Sequence, residues 1–167
     1  MAGFGGSLGI VTSNEIRPSR TTTIGPRSLR RLLLTGQTGG WLIGDGGLVL
    51  TTGDSGFTWT APPGELPDFA ARELDFRALA VLGNHVWIAG APGTTVLHSG
   101  DGGQKWQVSM TEQTAPLRGL TFLDEYRGRA VGSLGTYLHT RDCGLTWRVQ
   151  PAGGTRVALL GLVSEAS

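Results

Sequence analysis

The chain has 167 residues, with 14 Lys and Arg against 13 Asp and Glu and a formal net charge of +1, a balance that argues against a dedicated nucleic-acid binder. That length suits a single domain, residues 1–167, with a core that buries about two-thirds of the unfolded chain's surface. No segment approaches the ~18 consecutive apolar residues of a membrane-spanning helix, and the one cysteine, Cys143, excludes both an intrachain disulfide and a cysteine-based zinc cage.

Taken from the N-terminus, Met1 to Val11 lack the basic stretch and continuous apolar run of a secretory signal. The run Gly6 to Asn14 contains a short β-rich stretch, which takes its meaning from a repeat further along the chain. Thr-Gly-Asp-Ser-Gly-Phe-Thr-Trp at Thr52 to Trp59 returns as Ser-Gly-Asp-Gly-Gly-Gln-Lys-Trp at Ser99 to Trp106 and as Thr-Arg-Asp-Cys-Gly-Leu-Thr-Trp at Thr140 to Trp147. Around Asp54, Asp101 and Asp142 the anchors recur: Leu50, Leu97 and Leu138 four residues earlier, Leu32, Leu79 and Leu120 22 residues earlier, and two glycines between them. The aspartates are 47 and then 41 residues apart, a period that fits one four-stranded propeller blade and is too long for a leucine-rich turn.

The expected units are therefore an all-β propeller of about four blades: blades at 29–66, 76–112 and 117–150, a degenerate blade end at 5–25, and at 157–165 the first strand of a split or next blade. A piece of a larger propeller satisfies the same pattern. In the third blade Leu117 to Phe122, Arg129 to Val131, Thr136 to Thr140 and Thr146 to Gln150 read as strands. Laid on that repeat, Ile10 falls over Leu138 and Asn14 over Asp142. Val157 to Val163 reads as an innermost strand, so the two termini together have the parts of one blade, as propellers need if no sheet edge is to be left unpaired. The first connection between blades is six residues longer than the second, and Asp68 to Leu74 leaves room for one helical turn, with ordinary loop growth as the simpler reading.

A tight hairpin needs a residue that tolerates positive φ and an acceptor for nearby amides; Gly56, Gly103 and Gly144 supply the first, and Asp54, Asp101 and Asp142 the second. Trp59, Trp106 and Trp147 are then placed to fold under the turn. All nine residues are expected to stiffen blades and to carry no chemistry, since a repeated feature serves the repeat. Cys143 stands where the other blades have Ser55 and Gly102, and reads as a turn residue rather than a reactive thiol.

The motif Ser/Thr-x-Asp-x-Gly-x-Thr-Trp is the Asp-box of bacterial neuraminidase repeats. The longer string Gly-x-x-Gly-x-x-Leu-x-Thr-x-Asp-x-Gly-x-Thr-Trp, running through residues 29–163, resembles the repeat of the photosystem II stability/assembly factor family. That resemblance implies a β-propeller without known catalysis, which binds a membrane-protein partner during complex assembly in an exported or lumenal compartment.

Arg30, Arg77 and Arg118 each lie two residues before an anchor leucine, so each innermost strand is expected to carry an arginine at one height, facing or rimming the central channel. Such a set concentrates positive potential and holds carboxylates bidentately, which suits an acidic peptide or a chain terminus. The alternative is that each arginine braces a neighbouring blade. Arg17, Arg20, Arg27, Arg30 and Arg31 against Glu15 read as a solvated basic face. His98 and His139 share a repeat position a blade apart, so no shared metal site is expected, and neither the histidines nor any other cluster calls for a cofactor.

Asp-boxes also occur in sialidases, which makes a glycoside hydrolase the alternative. Only Tyr126 and Tyr137 are available as nucleophiles, Ile16-Arg17-Pro18 has the wrong order for the sialidase segment, and no acid and nucleophile pair can be assembled. The expected function is a non-enzymatic scaffold that binds a protein, with no nucleic acid and no direct membrane insertion.

Overall fold

Short β-forming runs broken by glycine at regular intervals bury little as single strands, so they pair into small sheets that stack face to face. The computed structural model describes residues 8–11, 15–21, 24–111 and 113–150. The strand expected at 157–165 lies outside them, as does Asn14 of the N-terminal overlay.

Strands β1 (Gly9–Val11) and β2 (Ile16–Pro18) form an antiparallel hairpin, followed by β3 (Arg20–Thr21). The first blade is a meander of β4 (Leu29–Thr35), β5 (Gly39–Gly44) and β6 (Val49–Thr52). Its outer strand β7 (Thr58–Trp59) is joined to β6 through an antiparallel bridge between Thr51 and Thr60, and pairs on its other edge, in parallel, with β3. Helix α1 (Asp68–Glu73) then occupies the long connection, where the sequence alone makes ordinary loop growth the simpler expectation. The second blade is β8 (Asp75–Leu82), β9 (His85–Ala91), β10 (Thr95–Ser99) and β11 (Gln107–Met110); the third is β12 (Leu117–Phe122), β13 (Gly128–Gly132), β14 (Tyr137–Thr140) and β15 (Arg148–Val149). Each is a four-stranded antiparallel sheet in sequence order. The described sheets form a partial β-propeller and do not close into a ring.

Innermost strands β4, β8 and β12 lie side by side, and the core sits in the seams between blades. Alternation along β5 sends Trp41 and Ile43 toward the second blade, where they pack with Phe76, Leu79, Ile88 and Leu97, while Leu42 faces the other way with Leu48, Leu50 and Trp59. The second seam joins Trp87, Ala89 and Val96 to Leu120, Leu138 and Trp147. Ala70 and Leu74 of the helical insertion are buried in the first seam.

The anchor leucines are not equivalent in the fold. Leu79 and Leu120 are 2% and 5% exposed, whereas Leu32 is 39% exposed. The first two have a preceding blade packed on them; among the described residues Leu32 has none.

Candidate functional site

The three Asp-boxes fold alike. Asp54 accepts from the Thr58 amide at 2.8 Å and hydroxyl at 2.6 Å, Asp101 from the Gln104 and Lys105 amides at 3.0 and 2.9 Å, and Asp142 from the Thr146 amide at 2.9 Å. The Thr58 hydroxyl and amide hold the Asp54 carboxyl below its usual range, and the Lys105 amide and Ser99 hydroxyl do so for Asp101. Two residues earlier a hydroxyl ties the turn together. Thr52, Ser99 and Thr140 each donate to the aspartate and accept the amide of Gly56, Gly103 or Gly144 at 3.0, 2.8 and 3.0 Å. The sequence marks this Ser/Thr as an anchor without revealing its role.

Both residues after each aspartate, except the glycine-only pair at Gly102 and Gly103, combine a side chain and a glycine at positive φ: Ser55 at 60° and Gly56 at 89°, Cys143 at 62° and Gly144 at 85°. Cys143 is thus a turn residue, and burial followed by the Glu125 and Asp142 charges pushes its thiol pKa up, away from thiolate reactivity.

The glycine has a second task. Trp41 rests on Gly103 so closely that a Cβ there would lie 2.7 Å from its ring, and Trp87 rests on Gly144 in the same way at 3.1 Å. Trp87 also donates its indole N–H to the Cys143 carbonyl at 2.6 Å and stacks on Phe122. Trp41 meets Trp106 edge to face. All three Asp-box tryptophans therefore sit under their turns, and the two on second strands lock one blade to the next.

Arg30, Arg77 and Arg118 occupy one structural position. Each is skipped in the pairing of its innermost strand, between Leu29 and Arg31, Phe76 and Ala78, and Leu117 and Gly119, so each is the extra residue of a β-bulge, a device that re-aims a side chain. The bulge needs the glycine opposite. A Cβ at Gly44, Gly90 or Gly132 would lie 2.3, 1.9 or 2.4 Å from the carbonyl oxygen of Ser28, Asp75 or Pro116.

Their partners differ. Arg30 grips Asp45 with two parallel bonds of 2.7 and 2.6 Å, which raise the arginine's pKa and lower the aspartate's. Arg118 donates from Nε to the Ser133 hydroxyl at 3.0 Å. Asp45 and Ser133 directly follow Gly44 and Gly132; the corresponding residue after Gly90 is Ala91, which has no acceptor side chain. Arg77 is left with Asp75 at 3.9 Å, and its Nε is buried without a hydrogen-bond partner. The charges of Arg77 and Asp75 act on the Arg30 and Asp45 pair, so the first two arginines share one electrostatic cluster. Of the other basic residues, Arg17 pairs with Glu15 at 2.9 Å, while Arg20, Arg27 and Arg31 are exposed.

By repeat position His85 stands apart from His98, yet the β9–β10 register brings their rings to 3.1 Å, Nδ1 to Nε2, with Glu125 of the third blade 3.3 Å from His85 Nε2. His98 is 6% exposed, and burial, then the neighbouring His85, lowers its pKa to about 4. Counting back from the hairpin between β9 and β10 places Trp87 opposite His98, and His85 two residues further along the same face. Among the described residues no cluster of three or more His, Cys, Asp or Glu is arranged to hold a metal ion, and no helix is long and apolar enough to cross a membrane.

Repeated four-stranded sheets, each closed by an Asp-box and locked to its neighbour by an indole, define an Asp-box β-propeller module. Residues 28–150 match the family described as Photosynthesis system II assembly factor YCF48, and the chain belongs to that family. A Photosystem II assembly lipoprotein Ycf48 from Synechococcus sp. (strain CC9902) is 31% identical over 112 residues, 65% of this chain and 32% of that protein. A solved structure of YCF48 bound to D1 peptide superposes with a TM-score of 0.65 at 26% identity, covering 74% of this chain and 40% of the other. YCF48 from Cyanidioschyzon merolae gives 0.59 at 28% identity, covering 74% and 37%. An ancestral GH74 enzyme gives 0.54 at 14% identity, covering 72% and 18%, a likeness of fold alone. The chain thus spans about a third of the curated relative, which is named for photosystem II assembly, and about two fifths of the solved YCF48 structures.

Proposed function

We propose that this chain is a non-enzymatic protein-binding propeller module that takes an acidic or carboxylate-ended extended segment on the rim bearing Arg30, Arg77 and Arg118. Arg77 carries this reading. Its side chain is 30% exposed at a bulge, its nearest acid, Asp75, stands 3.9 Å from a terminal nitrogen, and the position that would neutralise it is Ala91. A guanidinium so placed is completed by a planar anion, and a carboxylate accepts its two N–H groups in parallel.

The relatives support the class of partner. One is bound to a D1 peptide and another is named for photosystem II assembly, so a subunit of a membrane complex is the partner proposed. An exported or lumenal setting is proposed with it, from the relative named as a lipoprotein.

The test is binding of a fluorescent peptide ending in a free carboxylate, to the wild-type chain and to the Arg30, Arg77 and Arg118 triple alanine variant. The expected result is salt-sensitive binding lost in the variant and weakened when the peptide is amidated. Equal affinity for both proteins would overturn the arginine site. Turnover of a fluorogenic sialoside would instead favour a hydrolase.

A further inference from the structure

Alternate residues of a blade's third strand turn their backbone groups toward the second strand and toward the fourth. In the first blade the Gly44 amide donates to the Leu48 carbonyl at 3.0 Å, and Thr51 exchanges two backbone bonds with Thr60 at 2.8 and 3.0 Å. Leu48, Leu50 and Thr52 therefore point their amides and carbonyls at β5, while Val49 and Thr51 point theirs at the fourth strand.

Val49 meets no fourth strand. Its counterparts do: Val96 pairs with Ser109, and the Tyr137 carbonyl accepts the Gln150 amide at 2.9 Å. The residue due opposite Val49 is Pro62, which has no N–H to give. The chain also leaves the blade here. A Cβ at Gly103 would meet Pro62 at 3.2 Å, the Gly64 amide donates to the Gly103 carbonyl at 2.8 Å, and a Cβ at Gly64 would lie 1.9 Å from the Gln104 carbonyl oxygen, so the connection is fastened to the second blade's Asp-box. Neither the amide nor the carbonyl of Val49, a residue 4% exposed, has a hydrogen-bond partner among the described residues, and backbone groups so placed call for one. The departure leaves a groove of about 550 Å³ between the β6 edge and residues 62–66, bounded also by α1, whose Ala71 backbone packs on Gly47. Its charged residues, Arg27, Arg72, Glu65 and Asp68, are two of each sign, all exposed and none in an ion pair among the described residues.

We infer that this groove is a strand-addition site, in which an extended, uncharged segment of a partner protein lies between β6 and residues 62–66 and exchanges backbone N–H and C=O bonds with Val49. The donor and acceptor of one residue face the groove as a pair, which is the complement of a main chain and not of a side chain. Balanced charge along the groove selects a neutral segment, in contrast to the carboxylate sought by the arginine rim, and either site stands without the other. A second copy's blade edge does not enter, because the groove is walled on both sides and admits a single strand.

The probe is the acetylated and amidated pentapeptide Gln-Val-Ser-Met-Thr, the chain's own residues 107–111, whose serine pairs with Val96 in the second blade. It is titrated into the ¹⁵N-labelled full chain alongside the same peptide N-methylated at its serine. A saturable shift of the Val49 amide is expected, with an affinity about tenfold or more lower for the N-methyl peptide, which cannot donate to the Val49 carbonyl. Ala61→Trp, at an exposed position lining the groove, should weaken peptide binding by a similar factor while the urea midpoint and the affinity for the carboxylate peptide stay at wild-type values. No saturable shift at Val49, or equal affinity for the two peptides, would overturn the site. A concentration-dependent dimer abolished by Ala61→Trp would overturn the partner in favour of a second copy.

Discussion

The indole nitrogen of Trp87 lies 2.6 Å from the carbonyl oxygen of Cys143, so the second strand of one blade is fastened to the Asp-box turn of the next. Trp87 is fully buried and stacked on Phe122 at a centroid distance of 3.5 Å. Trp87→Ala opens a cavity in the seam and should cost about 3–5 kcal/mol. Trp87→Phe keeps an aromatic ring and loses the donor, so about 1 kcal/mol of its cost belongs to the hydrogen bond. Urea unfolding of both variants, with the m-value compared to wild type, measures the two parts.

The Asp-box hydroxyl supplies an internally controlled test. Ser99 is 1% exposed, and its Oγ accepts the buried Gly103 amide at 2.8 Å while donating to Asp101 at 2.9 Å. Ser99→Ala strands that amide, at a cost of about 1–3 kcal/mol. Ser99→Thr installs the residue found at Thr52 and Thr140, where the same bonds form, and should keep most of the stability. Thermal or urea midpoints decide it; equal losses in the two variants would show that the hydroxyl bond contributes little.

The repeat is legible because its physical reasons are local. The Asp-box turn and the strands of the third blade follow from residue type and spacing, whereas the helix at Asp68–Glu73 stands where loop growth is the simpler expectation, because its burial of Ala70 and Leu74 in the first seam is a tertiary effect. What escapes such a reading depends on pairing. Gly44, Gly90 and Gly132 are visible as anchors, but the need for a missing Cβ appears only when the opposing carbonyl of the bulged strand is in place. The different neutralisation of Arg30, Arg77 and Arg118 is one alignment step away, at Asp45, Ala91 and Ser133. Leu32 looks equivalent to Leu79 and Leu120 because sequence spacing records a position in a blade and not whether another blade covers it.

Acid should loosen the second seam. His98 titrates at about 4 in the fold against 6.5 for the free side chain, first because it is buried and then because His85 lies beside it, with Asp101 opposing. A histidine with a depressed folded pKa takes up its proton more readily when unfolded, so its contribution is complete above pH 6.5 and is lost as pH falls toward 4. At 1.36 kcal/mol per pKa unit the window is worth on the order of 3 kcal/mol. Glu125, on the third blade beside His85, and Trp87, stacked on both rings, complete the surroundings. Urea midpoints at about pH 7 and about pH 4.5 should differ more for wild type than for His98→Gln; parallel losses would remove His98 as the cause.

Asp45 sets the sign of the last prediction. It already occupies both arms of Arg30, so an incoming carboxylate must compete with it there, while at Arg77 the nearest acid, Asp75, stands 3.9 Å away and accepts the Gly46 amide with its other oxygen. Arg77→Ala should therefore weaken binding of the carboxylate peptide more than Arg30→Ala. Asp45→Ala should strengthen it, because removing an acid from the cluster frees Arg30 and raises the local positive potential. The gain should shrink with added salt, since the rim is solvent-facing and screened over about 10 Å at 0.1 M ionic strength. Titrations of the three variants at two salt concentrations give the order directly, and weaker binding by Asp45→Ala would mean that the Arg30 and Asp45 pair serves as a structural brace and not as a masked half of the site.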